Sequence, residues 1–176
     1  MKDIMLDIET MGKGNNASIM SIGACYFDPA TGEIGSTFHE QINIETNGVI
    51  DASTVIWWMA QDDEARAKFK NNGNAKHINI VLLGLSNWIK KDSDVWGNGI
   101  SFDNVIIKSA YKKADFPAPW NFWADCDVRT IVKIGIAKGI NPKKTLKFEG
   151  VKHDALADAI HQAKYVSLIW QSLTVS

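Results

Sequence analysis

Lys2-Asp3-Ile4-Met5-Leu6-Asp7-Ile8-Glu9 is the stretch on which the fold turns. Apolar residues occupy both parities from Ile4 to Leu6, as in a strand covered on both faces, and two carboxylates close it. Reading outward, residues 19–28 form a second apolar run, Asp28-Pro29-Ala30-Thr31-Gly32-Glu33 supplies turn punctuation, and residues 35–44 return as a third strand. Helices are predicted over 53–60, with Ser53 as N-cap, over 62–70 and over 76–90, Gly73 separating the last two. Val95-Trp96-Gly97 reads as a short buried strand, 102–113 as a helix stopped by Pro117 and Pro119, and 121–125 as a fifth strand. A helix over 128–138 ends at Gly139, and 141–152 is a polar connection. Ala159, Ala163, Val166, Trp170 and Leu173 then mark one stripe of a long final helix. The order describes an α/β fold: a mixed five-stranded sheet, its first three strands antiparallel, flanked by helices.

Composition keeps this to a single domain over 1–176, since roughly 100 to 200 residues supply one core. A 45% hydrophobic content with a net charge of −1 excludes disorder as the main state. Apolar runs such as 78–85 fall far short of the roughly 20 residues of a membrane span, so no membrane partner is expected. The start reaches Asp3 and Asp7 too soon for a signal-peptide apolar region, and Cys25 and Cys126 lack a Cys-x-x-Cys partner. A cytoplasmic location with reduced core thiols is the expectation. The balance of 19 basic against 20 acidic residues argues, at first sight, against a nucleic-acid partner.

On a strand, Asp7 and Glu9 point to one face with Ile8 in the opposite layer. Alone, such a pair is two solvated acids at a strand end; beside buried apolar residues, two like charges are costly unless a cation neutralises them. Asp103, at a strand-to-helix junction in Asn98-x-x-x-Phe102-Asp103, reads by itself as a helix cap. His153, read by itself, is a surface-loop histidine. Five residues turn a helix by about 140°, so His153 must lie in the loop before the final helix to face the site of Asp158. Together, four carboxylates and one histidine without zinc spacing suit Mg²⁺ or Mn²⁺. Four acids on one pocket suit two such ions about 3.5 to 4 Å apart, the arrangement of phosphodiester hydrolysis, with the histidine taking a proton from water.

Asp7-x-Glu9, Asn98-x-x-x-Phe102-Asp103 and His153-x-x-x-x-Asp158, in that order, resemble the three motifs of the DEDDh subgroup of 3′-to-5′ exonucleases, which have a ribonuclease H-like fold. The middle motif alone arises by chance in only about one or two chains per hundred. Asp7-Ile8-Glu9-Thr10-Met11-Gly12, Ile56-Trp57-Trp58 with Gln61, Gly99 to Asp103, and Asp127-Val128-Arg129-Thr130 look most like the phage DexA-type exonucleases and their bacterial relatives. The likeness runs from the first strand to the final helix. It implies Asp7, Glu9, Asp103 and Asp158 as ligands of two divalent cations, with Asp7 bridging them, and His153 as general base. It implies release of nucleoside 5′-monophosphates from single-stranded 3′ ends or overhangs, DNA being favoured over RNA. Related exonucleases are often homodimers, and seven Trp leave room for an interface. Asp154 reads as the N-cap of the last helix, or as an acid that lifts the pKa of its neighbour His153.

Substrate contacts are expected at Thr10 and Met11, which follow the acidic pair, at Asn98 and Phe102 of the middle motif, and at Arg129. Trp57 and Trp58 point about 100° apart on a helix, so one packs and the other is available to stack on a base. From 129 to 152, seven basic residues (Arg129, Lys133, Lys138, Lys143, Lys144, Lys147, Lys152) meet one acid, Glu149, which suits a phosphate backbone; Lys108 and Lys112 extend the same surface. The net charge is thus +6 in that stretch and −7 elsewhere, an acidic centre beside a basic track. Two other classes compete: a noncatalytic nucleic-acid-binding domain, against which the intact five-residue set speaks, and an endonuclease or transposase-type enzyme, whose usual pattern lacks the His-x-x-x-x-Asp placement.

Overall fold

The computed structural model describes residues 1–67, 69 and 74–174. Its sheet is ordered β3-β2-β1-β4-β5, with β1 spanning Asp3–Thr10, β2 Ile19–Phe27, β3 Ile34–Gln41, β4 Asp94–Gly97 and β5 Asp125–Asp127. The first three strands are antiparallel neighbours, and β1, β4 and β5 run parallel, giving the mixed five-stranded α/β sheet expected. Alternation along central β1 divides the core. Ile4, Leu6 and Ile8 join Leu82, Leu85, Ile106 and Ile107 on one side; Met5 joins Val128, Ile131, Ala159 and Val166 on the other. Helices α3 (Ile78–Trp88) and α4 (Asp103–Lys113) cover the first layer, and α5 (Val128–Ala137) and α7 (Ala155–Thr174) the second. Helices α1 (Ala52–Met59) and α2 (Asp63–Ala67) and the one-turn α6 (Pro142–Thr145) complete the order.

Asp7 and Glu9 share the parity of Met5 and therefore face the α7 side. Register explains the opening they reach. Gly97, the last residue of β4, pairs with Leu6, so β1 outruns its parallel neighbour just before Asp7. Across β2, Asp7 pairs with Gly23, where a Cβ would come within 2.1 Å of the Ala155 carbonyl carbon. Gly23 and the fully buried stripe Ala155, Ala159 and Ala163 let the start of α7 lie on the sheet beside the two acids.

Several boundaries differ from expectation for local reasons. The fifth strand begins at Asp125 instead of 121, because Asp125 Oδ1 accepts from both Trp120 Nε1 and Asn104 Nδ2, leaving Phe122 and Trp123 on an exposed loop. Asp51, not Ser53, is the N-cap residue of α1, and Asp51 Oδ2 accepts from the Lys13 N–H at 2.8 Å. The connection 141–152 contains α6, started by Pro142, whose missing N–H costs nothing in a first turn. Strand β3 stops at Gln41 and a 3₁₀ turn, Ile44–Thr46, follows. Lys70 and Gly73, used above to bound two helices, lie outside the described residues. Trp170 and Leu173, at the end of the α7 stripe, are partly exposed. Among the described residues no helix is long and apolar enough to cross a membrane, and both cysteines are free thiols.

Candidate active site

Three chain segments converge at the carboxyl end of β1, where ligands collect in open α/β sheets. Asp7 and Glu9 come from β1. Beyond β4, Gly99 at φ +118° turns the chain, and the Phe102 N–H donates to the Gly99 carbonyl at 2.7 Å, so α4 starts with Asp103. The 4% exposed Asp103 leans across the strand, its Oδ1 accepting from the Ile8 N–H at 3.3 Å. Asn104 fastens the helix behind it, donating to the Val95 carbonyl and to Asp125.

The third segment is the start of α7. Asp154 Oδ1 accepts from the Ala157 N–H at 3.0 Å, the N-cap bond expected of it, and Asp154 Oδ2 lies 3.8 Å from His39 Nε2. His153 precedes the cap in a left-handed conformation, φ +61°, one that a non-glycine residue adopts only when its surroundings impose it. Trp57 and Trp58 border the imidazole edge-on at 5.1 and 6.0 Å between centroids. Glu9, His153 and Asp158 offer ligand atoms all within 4.8 Å of one another. They share a cleft of about 240 Å³ with Asp7, Asp103, Asn98, Phe102 and Gln162. A larger cavity, about 300 Å³ between residues 15–17, residues 46–48, the start of α3 and α4, holds none of these acids.

Electrostatics favour a cation in this cleft. Burial, followed by the charges of Asp103, Glu9 and Asp158, drives the Asp7 carboxyl well above the usual range, against a hydrogen bond from Gln162. Burial likewise lifts Asp103 to about 7, against the opposing Ile8 N–H and the Arg129 charge. Carboxyls that resist ionisation when left alone are the groups a divalent ion would neutralise, and an all-oxygen acidic set with one imidazole fits Mg²⁺ or Mn²⁺.

The remaining expected contacts divide. Thr10 and Met11 are buried: Thr10 Oγ1 donates to the Gly12 carbonyl, and Met11 packs in the cluster of Trp58 and Ala65. Trp58 is 2% exposed and donates to the Thr10 carbonyl at 3.0 Å, whereas Trp57 is 44% exposed, the division of labour expected of adjacent helical aromatics. The Arg129 guanidinium lies over Gly99, where a Cβ would approach its Cζ to 2.8 Å. All seven cations from Arg129 to Lys152 are exposed. Lys108 departs from its expected part in that surface: its Nζ sits 2.5 Å from Asp125 Oδ2 and over the Trp120 ring. Gln162 is the site residue missing from the expected set. It sits four residues after Asp158, hence on the same helical face, and this spacing was its only signal in the sequence.

Comparison with known proteins bears on the family and the fold. The model of the 3′-5′ exoribonuclease Rv2179c-like domain matches residues 2–170. An exodeoxyribonuclease of Enterobacteria phage T4 is 26% identical over 90% of this chain and 84% of its own. The nuclease domain of 3′hExo, a DEDDh family member bound to rAMP, superposes with a TM-score of 0.66 at 14% identity, covering 97% of this chain and 92% of that one. E. coli exonuclease I in complex with a dA16 oligonucleotide gives 0.70 at 14% identity, covering 97% of this chain; the chain spans 42% of that enzyme.

Proposed function

The chain belongs to the family of the 3′-5′ exoribonuclease Rv2179c-like domain and is a 3′-5′ exonuclease, and from that premise we propose that its acidic cleft hydrolyses the terminal phosphodiester of single-stranded 3′ ends or overhangs, releasing nucleoside 5′-monophosphates. The observation that carries the reading is the meeting of Asp7, Glu9, Asp103, His153 and Asp158, from three distant segments, in one cleft. Asp7, Glu9, Asp103 and Asp158 would hold two divalent cations, Mg²⁺ or Mn²⁺, which activate water and stabilise the leaving oxygen when bound. His153 takes the proton of the attacking water, its ring kept in place by Trp57 and Trp58. The exposed Trp57 face stacks on a nucleobase, and the cations of α5, α6 and the following loop carry the phosphate backbone. Residues 1–176 act as one exonuclease domain, in a reducing cytoplasm that keeps Cys25 and Cys126 as thiols. DNA is the favoured substrate, supported by the phage exodeoxyribonuclease; the exoribonuclease named by the family model is the second reading.

Oligonucleotides labelled at the 5′ end, of DNA and of RNA, with free or blocked 3′ ends and with Mg²⁺, Mn²⁺ or EDTA, test this directly. Stepwise shortening that needs both a free 3′ end and the cation is expected. Internal cuts, or turnover in EDTA, would sink the mechanism. His153→Ala is expected to lower kcat by about 10²- to 10⁴-fold while Mn²⁺ binding by calorimetry stays within a few fold. A variant that loses Mn²⁺ instead makes His153 a ligand and not the base. For Trp57→Ala, removal of a stacking surface worth roughly 1–3 kcal/mol should raise KM about 5- to 150-fold with little change in melting temperature. An unchanged KM would remove Trp57 from the substrate path.

A further inference from the structure

The buried face of α7 carries an amide to which the reaction above gives no task. Gln162 is 5% exposed and lines the cleft one turn beyond Asp158, and its Nε2 donates to Asp7 Oδ1 at 2.8 Å. Its Oε1 is buried and accepts no hydrogen bond among the described residues. With Asp7 ionised, as a metal ligand is, turning the amide over would set its carbonyl against a carboxylate, and two acceptors cannot pair. A buried carbonyl without a donor is destabilising, so for packing alone a leucine or methionine of similar length serves better.

We propose that Gln162 is a positioning residue of the metal centre: its N–H holds one oxygen of Asp7, directing the other toward a divalent cation, and its buried carbonyl receives a donor that enters the cleft with the ligand. Partners of this kind, which touch a ligand residue and not the ion, typically change metal affinity by about 10- to 100-fold when replaced. The proposal rests on the reading of Asp7 as a metal ligand.

Calorimetric titration with Mn²⁺ alone, on the wild type and on Gln162→Met, Gln162→Asn, Asp7→Asn and Tyr165→Phe, separates the two. Methionine removes both hydrogen-bonding ends at similar length; asparagine keeps the amide but is one methylene short of Asp7. Both are expected to weaken Mn²⁺ by about 10- to 100-fold, with melting temperatures in EDTA within about 4 °C of the wild type. Tyr165→Phe removes a hydroxyl equally buried on the same helix and should leave Mn²⁺ affinity within about threefold. Mn²⁺ affinity within threefold of wild type in both Gln162 variants overturns the proposal, as does a melting temperature that falls by more than about 8 °C in both, which marks a structural role. Should Gln162→Met not fold, Gln162→Asn decides. If Asp7→Asn loses Mn²⁺ and the Gln162 variants do not, only the role of Gln162 falls; if Asp7→Asn also keeps Mn²⁺, the assignment of Asp7 falls with it.

Discussion

Asp103→Asn is expected to abolish exonuclease turnover and, at the same time, to raise the melting temperature of the metal-free protein. With Asp103 as a ligand in the proposed mechanism, loss of one anionic group removes about 4 kcal/mol of transition-state stabilisation, a fall in kcat of roughly 10³-fold. Stability moves the other way because burial lifts the Asp103 carboxyl from 3.8 to about 7, against the opposing Ile8 N–H and Arg129 charge. Keeping it ionised at pH 8 therefore costs the folded state up to about 4 kcal/mol, at about 1.4 kcal/mol per pH unit. Asparagine is isosteric and keeps an oxygen for the Ile8 N–H, though its new NH₂ needs an acceptor. A net gain of about 1–3 kcal/mol, or roughly 3–10 °C by scanning calorimetry in EDTA at pH 8, is the expected result. A melting temperature that stays level or falls would mean that Asp103 is well accommodated without a cation.

The second large effect concerns pH and divalent ions together. For a carboxyl whose folded pKa is raised, the folded state binds more protons than the unfolded chain, so the stability tied to that proton is complete below the unfolded value of 3.8 and is lost as pH rises through the folded value. For Asp103 that window runs from 3.8 to about 7; Asp7, raised by burial and by three neighbouring acids, adds to the loss in the same direction. In EDTA, wild-type stability should decline between pH 5 and pH 8, and the decline should be smaller in Asp103→Asn. Cations compete with protons for the same oxygens, so Mn²⁺ should stabilise little at pH 5. At pH 8 and about 100 times its dissociation constant it should add about 2.7 kcal/mol, roughly 5–10 °C. Equal stabilisation by Mn²⁺ at both pH values would show that the ion binds elsewhere than on these carboxyls.

Much of this architecture was written in local chemistry. The apolar run before Asp7, the Pro29 and Gly32 turn and the single-residue stop at Gly139 each act over a few neighbours, so the succession of strands and helices could be read directly. The spacing of the acids fixed their faces: alternation puts Asp7 and Glu9 together, and the loop before α7 lets His153 join Asp158. What stayed hidden depends on partners far along the chain. The start of β5 is set by Trp120 and Asn104 gripping Asp125, and the diversion of Lys108 follows from that same carboxylate. Gln162 looks like any polar residue on a helix until Asp7, 155 positions earlier, is laid beside it. Gly23 in turn acquires its purpose only when the backbone of Ala155 is packed on it.

The Asp7 to Gln162 hydrogen bond has a consequence in time as well as in space. In the proposed site β1 supplies Asp7 and Glu9, the start of α4 Asp103, and the start of α7 Asp158, so a chain emerging from the ribosome displays the first three acids long before Asp158 exists to complete them. Cleavage capacity then arrives in one step, with the last helix, and never grows by degrees. Latency during synthesis is written into chain order.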